Sequence, residues 1–221
     1  MKFEDFTAKE IVARRVAKEL RSGMLVNLGI GIPSLVANFI PSDVHVILDS
    51  ENGLTGMGPS PTPDRTDLSL TDAGGTPSSA LPGAAAFDSA MSFGLIRGGH
   101  VDVTILGALE VDSFGHLASW MIPGKLVPGM GGAMDLMCGA KRIIIAMMHT
   151  SKGESKIVQT CRLPLTSVRR VDLIVTELAV IEPTNEGLVL REFAPHISIA
   201  ELRAATAAQL IVPEDVREML F

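Results

Sequence analysis

The hydrophobic positions near the N-terminus recur every four residues, as expected for one face of a helix. Val12, Val16 and Leu20 have this spacing. Directly before them, Thr7-Ala8-Lys9-Glu10 matches a capping box, in which the threonine hydroxyl and the glutamate carboxylate each bind a free backbone N–H. The pattern predicts a helix from residue 8 to about residue 21, ended by the Ser-Gly pair at 22–23.

Short, continuously apolar runs separate the predicted helices, and each predicts a buried strand. These runs lie at residues 24–28, 44–48, 101–106, 143–148 and 173–176. The first run is followed by a glycine turn and by Pro33, which is tolerated in the first turn of a helix. Apolar strands that alternate with amphipathic helices indicate an α/β fold with a largely parallel sheet.

The remaining segments complete this organisation. We predict a helix over residues 84–96, ended by two glycines at 98–99, and a second capping box, Ser198-Ile199-Ala200-Glu201, that opens a helix to about residue 208. Residues 59–83 are rich in proline, serine, threonine and glycine, and predict an extended excursion. There is no internal repeat and no linker-like stretch, so we predict one domain over residues 1–221.

Composition narrows the class of protein. The chain has 221 residues, of which 47% are hydrophobic and 20% charged, with a formal net charge of −6, so it is globular and poorly suited to binding nucleic acid. Cys138 and Cys161 belong to no metal or redox motif and predict reduced thiols of a cytoplasmic protein, although their spacing leaves a disulfide open. The charged N-terminus argues against a signal peptide, and no uncharged apolar run reaches the ~18 residues of a membrane span.

Most familiar chemical motifs are absent from the sequence. Gly29-Ile30-Gly31 begins like a dinucleotide-binding turn, but Ser34 stands at the third glycine position. The five histidines form no metal-binding pattern, and no GxSxG elbow is present. We therefore expect no metal and no permanently bound cofactor, although a glycine turn at a strand end suits an anionic or acyl ligand.

Two stretches are candidates for chemistry. The first, DSENGLTGMGP at residues 49–59, places Glu51 where a buried strand is predicted to end, which is where α/β sheets bind ligands. The second, VPGMGGAMD at residues 127–135, contains Gly131, Gly132 and Ala133 ahead of a predicted helix, so that backbone N–H groups could form an oxyanion hole. Taken alone, each also fits an ordinary structural role, the glutamate bonding loop amides and the glycines forming a turn.

Taken together, these stretches resemble a known family. Ser50-Glu51-Asn52-Gly53 is similar to the active-site signature of family I CoA-transferases, specifically the B (beta) subunit of 3-oxoacid CoA-transferases. The resemblance extends in the same order through residues 26–33, 80–112, 117–125, 128–136 and 173–182, and covers about residues 8–210. The sequence departs from the family at Asp49, where glutamine or histidine is more usual, and at Thr55, usually small or aliphatic, and both could adjust the pocket.

The resemblance implies a fold and a mechanism. The fold is a three-layer, open, mostly parallel sheet with helices on both faces. Glu51 would be the nucleophile, forming first an acyl-glutamyl anhydride and then a glutamyl-CoA thioester. Gly29, Gly31, Gly131, Gly132 and Ala133 would bind CoA or stabilise oxyanions, Asn52 would orient the loop and the substrate, and coenzyme A would be a substrate.

The resemblance also implies a partner and leaves the substrate open. The chain would be half of the enzyme, joined to an A (alpha) subunit in an α₂β₂ heterotetramer. Acetoacetate with succinyl-CoA, butyrate or acetate with acetoacetyl-CoA, and 3-oxoadipate all remain possible, as in ketone-body or short-chain fatty acid metabolism. Two alternatives are a sugar-phosphate isomerase that uses Glu51 as a base, although only Arg65 lies nearby in sequence, and a non-catalytic metabolite-sensing domain.

Overall fold

A computed structural model describes residues 3–127 and 129–220. The α-helices of these residues are α1 (Ala8–Ala17), α2 (Ile32–Leu35), α3 (Ser89–Arg97), α4 (Ala133–Gly139) and α5 (Ile199–Ala205). Short 3₁₀ helices lie at Phe3–Asp5, Val36–Phe39 and Pro63–Arg65. The strands are β1 (Leu25–Leu28), β2 (Ile47–Ser50), β3 (Leu54–Met57), β4 (Ala80–Ala86), β5 (Val103–Leu106), β6 (Glu110–Asp112), β7 (Leu117–Ala118), β8 (Arg142–Ala146), β9 (Thr150–Ser151), β10 (Glu154–Ser155), β11 (Ile157–Val158), β12 (Leu173–Val175), β13 (Ala179–Pro183), β14 (Leu188–Phe193), β15 (Leu210–Ile211) and β16 (Arg217–Glu218).

One large sheet organises the described residues. Its strand order is β15-β14-β13-β12-β8-β5-β1-β2-β3-β4, with β16 beside β14. The five central strands from β12 to β2 run parallel. At one end β3 pairs antiparallel with β2 and β4, and at the other β13 pairs antiparallel with β12 and β14, whereas β15 and β16 pair parallel with β14. All four residues of β5 are buried, as expected for a parallel strand covered on both faces.

Apolar side chains pack on both faces of this sheet. On one face, α1 contributes Val12 and Val16 to a cluster with the strand residues Val26 and Ile105. On the other, helices α3, α4 and α5 contribute to a second cluster, in which α4 supplies Leu136. The predicted fold class, an open, mostly parallel sheet between two helical layers, is confirmed.

Two smaller sheets lie outside the main one. Strands β11, β6 and β7 form a three-stranded sheet, and β9 pairs with β10. Neither small sheet was predicted, because two- or three-residue strands carry too short a pattern to be read. The longer antiparallel pair β13–β14 was not predicted either. No helix within residues 3–127 or 129–220 is both long and apolar enough to cross a membrane.

Both predicted capping boxes are present. The Thr7 hydroxyl accepts a hydrogen bond from the amide of Glu10, and the amide of Thr7 donates one to the Glu10 carboxylate. Ser198 and Glu201 form the same pair of bonds at α5. Both helices end earlier than predicted, at Ala17 and Ala205. Thr206 leaves the helix with an extended backbone, and its hydroxyl donates instead to Leu202 O at 2.7 Å.

Two predicted elements need larger corrections. Residues 84–86 are strand rather than the beginning of a helix, because the backbone pairs with β3, where Ala86 lies opposite Leu54. The helix starts at Ser89, after Asp88 accepts a hydrogen bond from the amide of Met91. The strand predicted at 44–48 lies at Ile47–Ser50, so it runs directly into Glu51.

Candidate active site

A tight turn fixes the position of Glu51. Strand β2 ends at Ser50 and returns as β3 from Leu54, and the amide of Gly53 donates to Ser50 O at 2.9 Å. Gly53 has a φ of 115°, and a Cβ there would overlap the carbonyl oxygen of Phe87, so only glycine fits. Glu51 therefore lies at the carboxyl end of a parallel strand, at the edge where open α/β sheets bind ligands.

Three neighbours hold Glu51 from three different elements. Its Oε2 accepts a hydrogen bond from Asn27 Nδ2 of β1 at 3.1 Å. Its carbonyl oxygen accepts one from Ser92 Oγ of α3 at 2.7 Å. Gly132, at the start of α4, lies so close that an added Cβ would be 3.0 Å from Glu51 Cγ. The side chain is thus oriented by Asn27 of the sheet and by Gly132 at the start of α4, whereas Ser92 of α3 fixes the backbone of Glu51.

The residues on either side of Glu51 bind the excursion at 59–83. Ser50 Oγ accepts a hydrogen bond from the amide of Ala73 at 2.9 Å, and Asn52 Nδ2 donates to Thr71 O at 2.7 Å. Asn52 is exposed and is not among the described residues that line the neighbouring cavity. The contact to Thr71 suits the loop-orienting role expected for Asn52.

A cavity of about 850 Å³ opens in front of Glu51. It unites residues that are far apart in the sequence, and the predicted site residues on its wall are Gly29, Glu51, Gly131, Gly132 and Ala133. Gly31 is outside the described lining. The predicted stretch 127–135 includes Pro128, which lies outside the described residues.

The backbone amides of this wall are not equally available. Ala133 N donates to Met130 O at 2.9 Å, and Gly29 N donates to Ile105 O at 2.8 Å, so the fold already uses both groups. Within the described part of the chain, the amides of Gly131 and Gly132 have no such acceptor. Because Gly132 also packs against Glu51, these two amides are the better candidates for oxyanion donors.

The charges on the cavity wall all have one sign. Asp49, Glu51 and Asp72 line it, and no lysine, arginine or histidine does so among the described residues. Burial raises the pKa of Asp49 to about 6; the hydrogen bond from Asn27 lowers this pKa, and the charge of Glu51 raises it. The described residues also contain no group of three or more side chains that could hold a metal ion.

Sequence reasoning missed two of the residues that hold Glu51. Asn27 and Ser92 are both buried, and although both lie in stretches that resemble the family, neither was predicted as a site residue. An asparagine inside an otherwise apolar strand was the available signal for the first. Ser92 carried no signal, because its role depends on where α3 packs.

A carboxylate in a glycine-walled cavity, beyond the carboxyl ends of parallel strands, gives this α/β protein a candidate active site at the usual edge of the sheet. The sequence model of the Coenzyme A transferase family matches residues 9–205. The chain belongs to this family of transferases.

Two relatives support this assignment, because each is similar to the chain over nearly its whole length. The beta subunit of the acetate CoA-transferase of Haemophilus influenzae is 52% identical over 96% of this chain and 95% of its own length. The B subunit of the probable succinyl-CoA:3-ketoacid coenzyme A transferase of Bacillus subtilis is 50% identical over 95% of this chain and 97% of its own length.

Solved structures show the same fold. The acyl-CoA transferase YdiF of Escherichia coli O157:H7 superposes with a TM-score of 0.78 at 24% identity. The match covers 100% of this chain and 44% of that one, so the chain spans less than half of the larger enzyme. The predicted similarity to CoA-transferases is therefore confirmed in both sequence and fold.

Proposed function

We propose that the chain is the catalytic B subunit of a 3-oxoacid CoA-transferase, with Glu51 as the nucleophile. The observation that carries this proposal is the position of Glu51, on the cavity wall, with Oε2 held by Asn27 and the side chain packed against Gly132. A carboxylate that is held by a hydrogen bond, on a side chain held by packing, and that lies beside a cavity suits attack on a bound acyl group.

The reaction would begin with two substitutions. A carboxylate oxygen of Glu51 bonds to the acyl carbon of the donor, the carbon–sulfur bond breaks, and CoA leaves as the thiolate with the electron pair. The thiolate then attacks the glutamyl carbonyl of this anhydride, the bond to the bridging oxygen breaks, and the donor's acid leaves as a carboxylate. Glu51 is left as a thioester of CoA, and an acceptor carboxylate reverses both steps.

Each substitution passes through a tetrahedral oxyanion. The amides of Gly131 and Gly132 are the proposed donors to it; in support, both residues line the cavity and the second lies against the glutamate side chain. The reaction needs no general acid or base, which is compatible with a described cavity wall that has no histidine. The excursion fastened by Ser50 and Asn52 would help to keep water from the anhydride.

The charges of the cavity support a second kind of subunit in the enzyme. Both CoA and the carboxylate substrates are anions, yet the described wall offers Asp49, Glu51 and Asp72 and no cation. Cationic groups that offset these charges would come from an A subunit, in an α₂β₂ assembly. The two relatives are named as a beta or a B subunit, which supports such an assembly.

The acyl substrates are a short acyl-CoA and a short carboxylate such as acetoacetate, butyrate or acetate. The names of two relatives of nearly equal identity differ in substrate, acetate in one and a 3-ketoacid in the other, so identity does not select between them. Location in the cytoplasm stays a prediction.

The two alternative functions are less well supported. An isomerase of sugar phosphates needs a phosphate cradle, and the described cavity wall has no lysine or arginine for it. A metabolite sensor needs no nucleophile, whereas Glu51 is held on three sides with its carboxylate beside a cavity. Both alternatives also leave the match to the transferase family unexplained.

The test is a search for the covalent intermediate. The chain is co-expressed with an A subunit, incubated with acetoacetyl-CoA without an acceptor, and digested for peptide mass spectrometry. We expect the mass of CoA or of the acyl group on the peptide that contains Glu51, and no such mass in the Glu51→Gln complex. An unmodified Glu51 in an otherwise active complex would refute the mechanism.

A further inference from the structure

A row of polar side chains crosses the sheet beside Glu51. Thr55, Asp49, Asn27 and Thr104 lie opposite one another on β3, β2, β1 and β5. Residues paired in register point to the same face of a sheet, so the four side chains form a continuous polar row. Thr104 Oγ1 donates to Asn27 Oδ1 at 3.3 Å, which turns the amide nitrogen of Asn27 toward Glu51 and β2.

Asp49 is the member of this row that the proposed reaction does not use. Its side chain lines the cavity and is only 5% exposed. Its Oδ2 is buried and has no hydrogen-bond partner among the described residues. A buried carboxylate oxygen without a partner is costly when charged, so it needs either a proton or a compensating charge.

The surroundings of Asp49 do not supply that compensating charge. Asn27 from β1 and Thr55 from β3 are neutral, and Glu51 beyond the end of β2 is an acid. Asp72 of the excursion lines the same cavity, and Asp135 of α4 is already paired with Arg97 of α3 at 2.7 Å. Burial and the charge of Glu51 therefore both favour the neutral form of Asp49.

Glu51 and Asp49 also share one hydrogen-bond donor. Asn27 Nδ2 donates to Glu51 Oε2 at 3.1 Å and to the backbone carbonyl of Asp49 at 3.4 Å. The side chain of Asn27 also lowers the pKa of the Asp49 carboxyl by hydrogen bonding, which opposes the larger effect of burial. An ionised Asp49 would thus repel the charged carboxylate of Glu51.

We propose that Asp49 is a positioning residue that couples the charge on Glu51 to a proton. Below about pH 6, while Glu51 is a free carboxylate, Asp49 is mainly the neutral acid, so that no second negative charge lies beside the nucleophile. When Glu51 becomes a thioester its charge leaves the cavity with the released carboxylate, and Asp49 then loses its proton to solvent more readily. This coupling rests on the proposed function, because it requires Glu51 to be acylated.

The coupling has a definite sign. Acylation removes the negative charge that raises the pKa of Asp49, so this pKa is lower in the thioester than in the free enzyme. Protons are then released on acylation, and a higher pH favours the thioester. A difference of about half a unit to one unit of pKa corresponds to about a three- to tenfold change in the equilibrium constant.

The experiment measures this equilibrium constant against pH. The complex with its A subunit is equilibrated with acetoacetyl-CoA and a fixed concentration of acetoacetate between pH 5.5 and 8, and mass spectrometry gives the fraction of Glu51 carried as thioester. Wild-type protein is compared with Asp49→Asn, which is neutral at every pH, and with Asp72→Asn, the matched removal of another acid on the cavity wall. Any effect of pH that does not involve Asp49 acts in all three proteins, so the difference between them isolates Asp49.

We expect the ratio of the wild-type constant to the Asp49→Asn constant to rise about two- to threefold from pH 5.5 to pH 8, because part of the change is already complete at pH 5.5. The equilibrium constant of Asp72→Asn should depend on pH in the same way as that of the wild type. An Asp49→Asn complex with the same pH dependence as the wild type would overturn the coupling and leave the transferase mechanism intact. A wild-type complex that forms no adduct at any pH would instead refute the proposed function and, with it, the coupling.

A second measurement does not depend on a variant. Adding excess acetoacetyl-CoA to the weakly buffered wild-type complex should release more protons per acylated Glu51 at pH 6 than at pH 8. Equal release at both pH values would overturn the coupling even if the Asp49→Asn chain failed to assemble.

Discussion

Two groups of buried polar residues lie at the carboxyl ends of the same parallel sheet, and they differ in how their polar atoms are satisfied. In the first, Glu51 and Asp49 share the amide of Asn27, and Asp49 Oδ2 has no partner among the described residues. In the second, His149 lies between two threonines, with Nδ1 2.9 Å from Thr176 Oγ1 and Nε2 2.9 Å from Thr206 Oγ1.

The polar atoms of the histidine cluster bond to one another and to nearby backbone groups. Thr206 Oγ1 donates to Leu202 O at 2.7 Å, so it can accept a hydrogen bond from Nε2. Thr176 Oγ1 has one proton, which it can donate either to Ala179 O at 3.2 Å or to Nδ1 at 2.9 Å. His149 is fully buried, and this burial lowers its pKa to about 4, so it is neutral near pH 7. Fully satisfied polar groups stabilise a fold, whereas an under-satisfied group beside a cavity is available to a ligand.

The largest expected effect is on activity and concerns the first group only. Glu51→Gln should lower kcat by at least about a thousandfold, because an amide cannot form the anhydride. Urea unfolding of the complex should change little, since the amide keeps the shape of the carboxylate. The assay is transfer of CoA from acetoacetyl-CoA to acetate.

Glu186→Gln, which changes an exposed glutamate in a turn, is the matched control and should keep full activity. A Glu51→Gln complex that retained a tenth or more of the wild-type rate would contradict the proposed role of Glu51 as the nucleophile.

The next effect is on stability and concerns His149. Its folded-state pKa of about 4 lies below the ordinary value of 6.5, so between these pH values the unfolded chain binds a proton that the folded chain does not. The free energy of unfolding should therefore fall as the pH drops from about 6.5 to 4, by up to about 3 kcal/mol from this group. The measurement is urea unfolding of the complex across this range.

His149→Gln should remove this contribution to the slope, whereas His45→Gln, at an exposed position, should leave it in place. If both variants gave the wild-type slope, His149 would not be the buried neutral group described above.

The smallest of the three effects has the opposite sign and concerns Asp49. Its folded-state pKa of about 6 lies above the ordinary 3.8, so its contribution to stability is complete below about pH 3.8 and is lost as the pH rises through 6. Asp49→Asn should therefore raise the free energy of unfolding at pH 7.5 by up to about 3 kcal/mol, and most of this gain should be lost near pH 4.

Asp72→Asn serves as the control in the same urea experiment and should show no gain that depends on pH in this way. A loss of stability in Asp49→Asn at pH 7.5 would mean that the buried carboxylate has a partner that stabilises its charge.

Much of the fold was predictable from the sequence, and the predictions failed where long-range contacts decide the local structure. The capping boxes at Thr7 and Ser198 were correct because a cap depends on residues within one helical turn. The helix predicted from residue 84 was wrong at its start because the alanines there pair with β3, about thirty residues away in sequence. Pairing with the edge of a sheet can outweigh the local preference of these alanines for a helix.

The sequence by itself determined that a glutamate followed by Asn-Gly stands at the end of an apolar strand, ahead of a glycine-rich stretch, and that these stretches resemble a transferase family. Only the tertiary structure decided which groups surround Glu51. Asn27 is 24 residues from it and Ser92 is 41, and Thr104 lies 77 residues from Asn27. Strand register and helix packing bring these groups together, and both depend on long-range pairing that no local pattern encodes.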